Sequence, residues 1–164
     1  MSYPPSRYDG EHGEVSARLR RTDGEPDITY SNGGKVEYLA SSNSADGDYG
    51  LYRWTFGEGQ SGPGPHFHRT MSESFYVLRG AIEFYDGTGW VEGRPGDFLH
   101  VPPGGLHGFR NVLGAPAQML LHFAPGGPRE GYFEGLARMK EWQPSSEELT
   151  EFYREHDNHW VEHG

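Results

Sequence analysis

The sequence predicts an all-β protein, a sandwich or barrel of short antiparallel strands with helix only near its C-terminal end. Aromatic and β-branched residues alternate in short segments from residue 35 to residue 124, the pattern of strands with one buried face. Those segments are separated by turn residues about every eight to twelve positions, and 25 Gly and 12 Pro supply the turns. Helical spacing of apolar residues first appears after residue 130. At 164 residues the chain is long enough for one domain with a substantial core.

Along the chain, residues 1–30 are polar and rich in Gly, Pro and charge, and read as an arm with too little apolar surface to fold alone. Strand signals begin at KVEYLA (35–40) and YGLYRWTF (49–56), and GEGQSGPGP (57–65) is a loop. HFH, SFYVLRG, AIEFY and WVEG follow, the last two joined by DGTG, a hairpin turn. DFLHV is stopped by Pro102 and Pro103, and LHGFRNV and AQMLLHFA complete the series. Beyond them Tyr132, Phe133, Leu136 and Met139 recur at helical spacing. Ser145 and Glu148 form a capping-box pattern ahead of Leu149, Phe152, Tyr153 and His156, which share one helix face. The expected organisation is an arm (1–30), a β-barrel domain (31–128) and a helical segment (129–164) lying on the outside or mouth of the barrel.

A formal charge of −10 disfavours phosphate backbones and anionic lipid, so neither nucleic acid nor a membrane is an expected partner. With no cysteine there is no disulfide, thiolate ligand or cysteine nucleophile. No apolar signal core or amphipathic transit pattern opens the chain, and a cytoplasmic location is the default expectation.

The chemistry is concentrated in HFHRTMSE. Alternate residues of a strand face the same way, so His66 and His68 can present both imidazoles to one point. Glu73 is an odd number of residues from each and would face away on a continuous strand. A turn at RTMS brings it back, opening a returning strand with Phe75 and Val77 on its own face. Two imidazoles and a carboxylate so held suit a first-row divalent metal. The alternatives are surface histidines and a Glu73 paired with Arg69 or Arg79. His107, after Pro102, Gly104 and Gly105, can enter its strand facing inward as a ligand or as a hydrogen-bonded core histidine. His100 alternates with Phe98 and is expected to face outward. His122 is either a pocket residue or a polar group bonded to a neighbour. His156, His159 and His163 read as solvated helix surface, and Phe75, Val77, Phe109, Trp54 and Tyr52 as core or pocket lining.

These segments carry a resemblance to the cupins. Their first motif is Gly, five residues, His-x-His, three or four residues, Glu, six residues and Gly; His66, His68, Glu73 and Gly80 stand at those intervals. Their second is Gly, five residues, Pro-x-Gly, two residues, His, three residues and Asn, and Gly96, Pro102, Gly104, His107 and Asn111 meet every position. The chain departs at the first glycine, where it has Gln60 between Gly59 and Gly62. The resemblance spans residues 35–125. It implies a small antiparallel jelly-roll β-barrel with His66, His68, Glu73 and His107 as ligands of one divalent transition metal (Fe, Ni, Mn, Co, Cu or Zn).

A lone cupin with this ligand set most resembles quercetinase-like dioxygenases. That implies a small aromatic substrate, flavonol-like or polyketide-like, with Glu73 as ligand and general base. Single-domain polyketide cyclases are also similar, and imply metal-assisted cyclisation or isomerisation without oxygen. A non-catalytic cupin that only binds a small ligand is a third reading. Cupins commonly pair, so a homodimer is expected.

Overall fold

A computed structural model describes residues 2–113 and 115–161. Among them the chain runs β1 (Ile28–Thr29), β2 (Lys35–Ala40), β3 (Gly50–Thr55), β4 (His66–Phe67), β5 (Ser72–Arg79), β6 (Ile82–Tyr85), β7 (Trp90–Gly93), β8 (Phe98–Val101), β9 (Gly108–Asn111) and β10 (Gln118–Ala124). Helices α1 (Arg129–Ala137), α2 (Met139–Trp142) and α3 (Ser146–Glu155) follow, and β11 (His159–Trp160) comes last.

The strands form a six-stranded sheet in the order β1-β2-β3-β10-β5-β8, a three-stranded sheet β7-β6-β9 and the pair β11-β4, with antiparallel pairing throughout. Period-2 patterning explains which faces meet. On β5, Glu73, Phe75 and Val77 point inward while Tyr76 and Leu78 are exposed; on β10, Met119, Leu121 and Phe123 point inward. The two larger sheets share one core, with the Phe75 ring centroid 5.3 Å from that of Phe84 (tilted) and 5.4 Å from that of Phe109 (edge-on). Each of these buried rings contributes roughly 1.5–3 kcal/mol by leaving water.

Local chemistry sets the connections. In the β6–β7 turn, the Asp86 carboxylate accepts hydrogen bonds from the backbone N–H of Thr88 and Gly89 and from the Thr88 hydroxyl. Helical pairing breaks at Arg138, between α1 and α2, where the spacing of apolar residues alone predicts one helix. The capping box at the start of α3 is present in full: Ser145 Oγ accepts from Glu148 N, and the Glu148 carboxylate accepts from Ser145 N. After α3 the chain returns to the sheets, where His159 pairs with Phe67 and Trp160 with His66. The chain after α3 thus rejoins the β structure beside His66.

Candidate metal centre

Three chain segments carry the predicted donors to one place. His66 and His107 are joined by reciprocal backbone hydrogen bonds, His66 N–H to His107 O at 2.8 Å and His107 N–H to His66 O at 2.9 Å, which sets their side chains next to each other. The chain turns at Arg69 and Thr70, and β5 returns with Glu73 paired to Phe123 and Val101. Gly104 donates its N–H to His68 O at 2.7 Å and has φ +82°, a conformation that costs a glycine little.

The Gln60 departure from the motif is accommodated by its neighbours. At Gly62, φ is +137° and any Cβ would lie 1.9 Å from Phe109 O, so the close approach falls here rather than at position 60. Asn111, fully buried, holds the same loop by accepting from Ser61 N and donating to Gly59 O.

His66, His68, Glu73 and His107 are each 2% exposed or less, and one donor atom from each lies within 4.8 Å of all the others. Each imidazole donates Nδ1–H to a backbone carbonyl: His66 to Gly64 at 2.9 Å, His107 to Gly105 at 3.0 Å and His68 to Asp157 at 2.6 Å. This fixes the tautomer and leaves all three Nε2 lone pairs for the site. Glu73 Oε2 lies 3.0 Å from His68 Nε2 and 2.8 Å from His107 Nε2. A lone pair and a carboxylate oxygen at that separation repel unless a cation joins them, either a proton on Nε2 or a metal. Donors bound at about 2.0–2.2 Å to one ion sit about 3 Å apart when adjacent, so the donor set fits a divalent metal.

The electrostatics agree. Burial pushes the Glu73 carboxyl up, but hydrogen bonds and charge from His107 and His68 outweigh it and hold the group below the usual carboxylate range. For His107, burial opposes the charged form, and the Glu73 hydrogen bond and charge more than compensate, raising its pKa. His66, which lacks a hydrogen bond to the carboxylate, is pushed down to about 3 by burial and then by His107, despite Glu73.

A cavity of about 350 Å³ opens over this cluster, with His66 and Glu73 in its wall. Trp54 and Phe109 line it, whereas Phe75, Val77 and Tyr52 are packed in the core. His100 is exposed and bonds Ser74, and His122 stacks on Tyr49 at 5.7 Å, outside the cavity. His156 bonds back to Phe152 O and His159 stacks on Phe67; neither joins the donor cluster, and His163 lies outside the described residues.

Three contributors are invisible to residue-type reasoning. Trp160 lies over His66, with ring centroids 5.3 Å apart. Arg129 lines the cavity from the start of α1. Asp157 supplies the carbonyl that orients His68, while its carboxylate accepts from Arg69 N, Thr70 N and Thr70 Oγ1. An acid near a helix end carries little signal in sequence, but Asp157 sits at φ +55°, a conformation Asp tolerates better than most residues.

Residues 52–123 match the family described as Cupin domain. A quercetin 2,3-dioxygenase from Bacillus subtilis (strain 168) is 38% identical over 45 residues, 27% of this chain and 13% of that protein, so the match spans a small part of the relative's length. Among solved structures, a predicted oxalate decarboxylase from Thermotoga maritima superposes with TM-score 0.56 at 23% identity, covering 66% of this chain and 99% of that one. KdgF from Halomonas sp. gives 0.55 at 18%, covering 66% and 94%. The polyketide cyclase RemF from Streptomyces resistomycificus gives 0.53 at 22%, covering 66% and 78%. At these identities the structural likeness is one of fold. Both motifs are complete from the first histidine onward, residues 52–123 carry the cupin-domain match, and the all-β jelly-roll architecture is shared with these neighbours.

Proposed function

We propose that the protein is a metal-dependent dioxygenase that opens the ring of a flavonol-like or polyketide-like aromatic compound. The observation that carries this reading is the convergence of four buried donors beneath an aromatic-walled cavity large enough for a small ring system. The quercetin dioxygenase segment supports it.

In this reading His66, His68, Glu73 and His107 hold one divalent ion. When bound, a redox-competent metal supplies a Lewis acid for an enol or phenol oxygen and a route for electrons to dioxygen. Trp54, Phe109 and Phe133 pack on the faces and edges of the substrate, and with Trp160 exclude water. Glu73, ionised as a ligand of the ion, takes the substrate's hydroxyl proton as general base through its carboxylate.

Purified protein loaded in turn with Fe, Ni, Mn, Co, Cu or Zn should consume oxygen with quercetin or a related phenol for at least one metal. No uptake with any of them would remove the proposal. Glu73→Gln should lower turnover by about 100-fold or more at matched metal content.

One observation favours a second reading, an oxygen-independent cyclase or isomerase. Burial raises the pKa of the Tyr153 phenol in the cavity wall, so it stays protonated and able to donate to a carbanion or enolate. Zinc would suffice for that chemistry. Product formation from a polyketide-like substrate under nitrogen would select this reading over the first.

A further inference from the structure

The cavity holds a charge that the proposed chemistry has not used. Arg129 lines it and is only 4% exposed. A guanidinium so deeply placed ordinarily has a carboxylate beside it, because desolvating an unpaired charge is costly. The chain has 24 acidic residues, and Arg7, Arg20, Arg53, Arg94, Arg110 and Arg154 all pair with one. Arg129, among the described residues, does not.

Its Nη1 donates to His156 O at 2.7 Å and to Asn158 Oδ1 at 3.0 Å, both uncharged acceptors. Its Nε is buried with no partner. The rings of Tyr132, Phe123 and Phe133 lie 4.3, 4.9 and 5.7 Å from the guanidinium carbon, which softens the charge without neutralising it. Burial lowers the pKa of Arg129, yet a guanidinium stays protonated at any working pH. Glu73, the carboxylate in the same wall, is already engaged by His68 and His107 and would be shared with a divalent ion. A loaded cavity is therefore short of negative charge, and Nε with Nη2 forms the edge of the guanidinium that takes both oxygens of a carboxylate.

We propose that Arg129 is an anion subsite, and that the natural substrate is an aromatic hydroxy acid whose carboxylate binds Arg129 while its ring lies among Trp54, Phe109 and Phe133. This rests on the reading of the cavity as the substrate site, and it narrows the substrate class from neutral phenols to phenolic carboxylic acids. The rival explanation is that Arg129 merely ties the segment around His156 and Asn158 to α1.

Titration of the zinc-loaded protein with 3-hydroxy-2-naphthoate and with its neutral carboxamide separates the two. The acid should bind at least about tenfold more tightly. In Arg129→Gln that preference should vanish while the amide still binds. The Nε–H resonance of Arg129, identified by its absence from the spectrum of Arg129→Lys, should shift on adding the acid and stay in place with the amide. This reading remains decisive if Arg129→Gln does not fold. Equal affinity for the two compounds, a preference that survives in Arg129→Gln, or an Nε–H signal indifferent to the acid would each overturn the proposal. If the amide is bound and oxidised as well as the acid, the subsite fails and the dioxygenase stands. If the acid binds preferentially and no metal supports oxygen uptake, the dioxygenase fails and the subsite stands.

Discussion

His66 and His107 are braced by residues just before them in the chain, whereas His68 is braced from the far end of the chain. The first two donate Nδ1–H to the carbonyl two residues earlier, Gly64 and Gly105, and their backbones are bonded to each other. His68 donates to Asp157 O, 89 residues away. The local pair is oriented once the bridge between His66 and His107 forms. The third imidazole waits on α3, because the chain returns to the barrel only past the end of that helix. The site is therefore a β-strand device completed by a helical one, and its three nitrogen donors should respond differently to damage.

The largest effects should follow loss of a donor from the local pair. His107→Ala and His66→Ala should each weaken metal binding by more than about 100-fold, beyond the range of residues that only support a ligand. Competition with a chromophoric chelator measures this. His107→Ala also leaves the buried Glu73 with a single imidazole partner, so Glu73 should be harder to keep ionised and the protein less stable than His66→Ala. Equal melting temperatures for the two variants would show that Glu73 does not depend on His107.

Next comes the distant brace. Asp157→Ala removes the acceptor for Arg69 N, Thr70 N and Thr70 Oγ1 and places a less tolerant residue at φ +55°, so the carbonyl facing His68 should drift. Metal affinity should fall about 10–100-fold. The His68 Nδ1–H signal should lose protection from exchange, while those of His66 and His107 keep theirs. If all three signals change together, the distinction between local and distant bracing is wrong. Asp157→Asn, which retains a side-chain acceptor and tolerates the backbone conformation, should fall between wild type and Asp157→Ala.

The same contrast separates what could be read in the sequence from what could not. The strands, and the pairing of His66 and His68 with a returning Glu73, are legible because period-2 alternation and turn residues act over a few positions, whereas the choice of His107 as fourth donor rests on the motif resemblance. The capping box of α3 is equally local. The support for His68 is a backbone carbonyl, which every residue possesses, so no residue type marks it. Arg129 in PREGYF reads as an ordinary charge at a helix start, and only the tertiary packing of α1 against Phe123 turns it into a buried cation. Gln60 illustrates the reverse case: a motif position departs, and Gly62 with Asn111 holds the loop regardless. Information that depends on where distant segments meet is absent from short windows of sequence.

The smallest effect tests whether the distant brace needs α3 to be stable or merely present. Ser145→Ala removes the hydroxyl that accepts from Glu148 N, and should cost about 1 kcal/mol. For a chain of this size that is a fall of roughly 2–4 °C in melting temperature. Asp157 is held by its own bonds to Arg69 and Thr70, so metal affinity should not change. A parallel loss of affinity would mean that fraying of α3 reaches His68 and that the clamp is not independent. The cap also has a pH signature. The Glu148 carboxyl is held below its ordinary 4.5 by the backbone and side-chain hydrogen bonds to Ser145. A depressed folded-state pKa stabilises the fold above 4.5 and ceases to do so as the pH drops through the folded value. The difference in melting temperature between wild type and Glu148→Ala should therefore hold from neutral pH down to 4.5 and close below it. A difference that persists at pH values below the folded pKa would show that Glu148 acts through its packing and not through its charge.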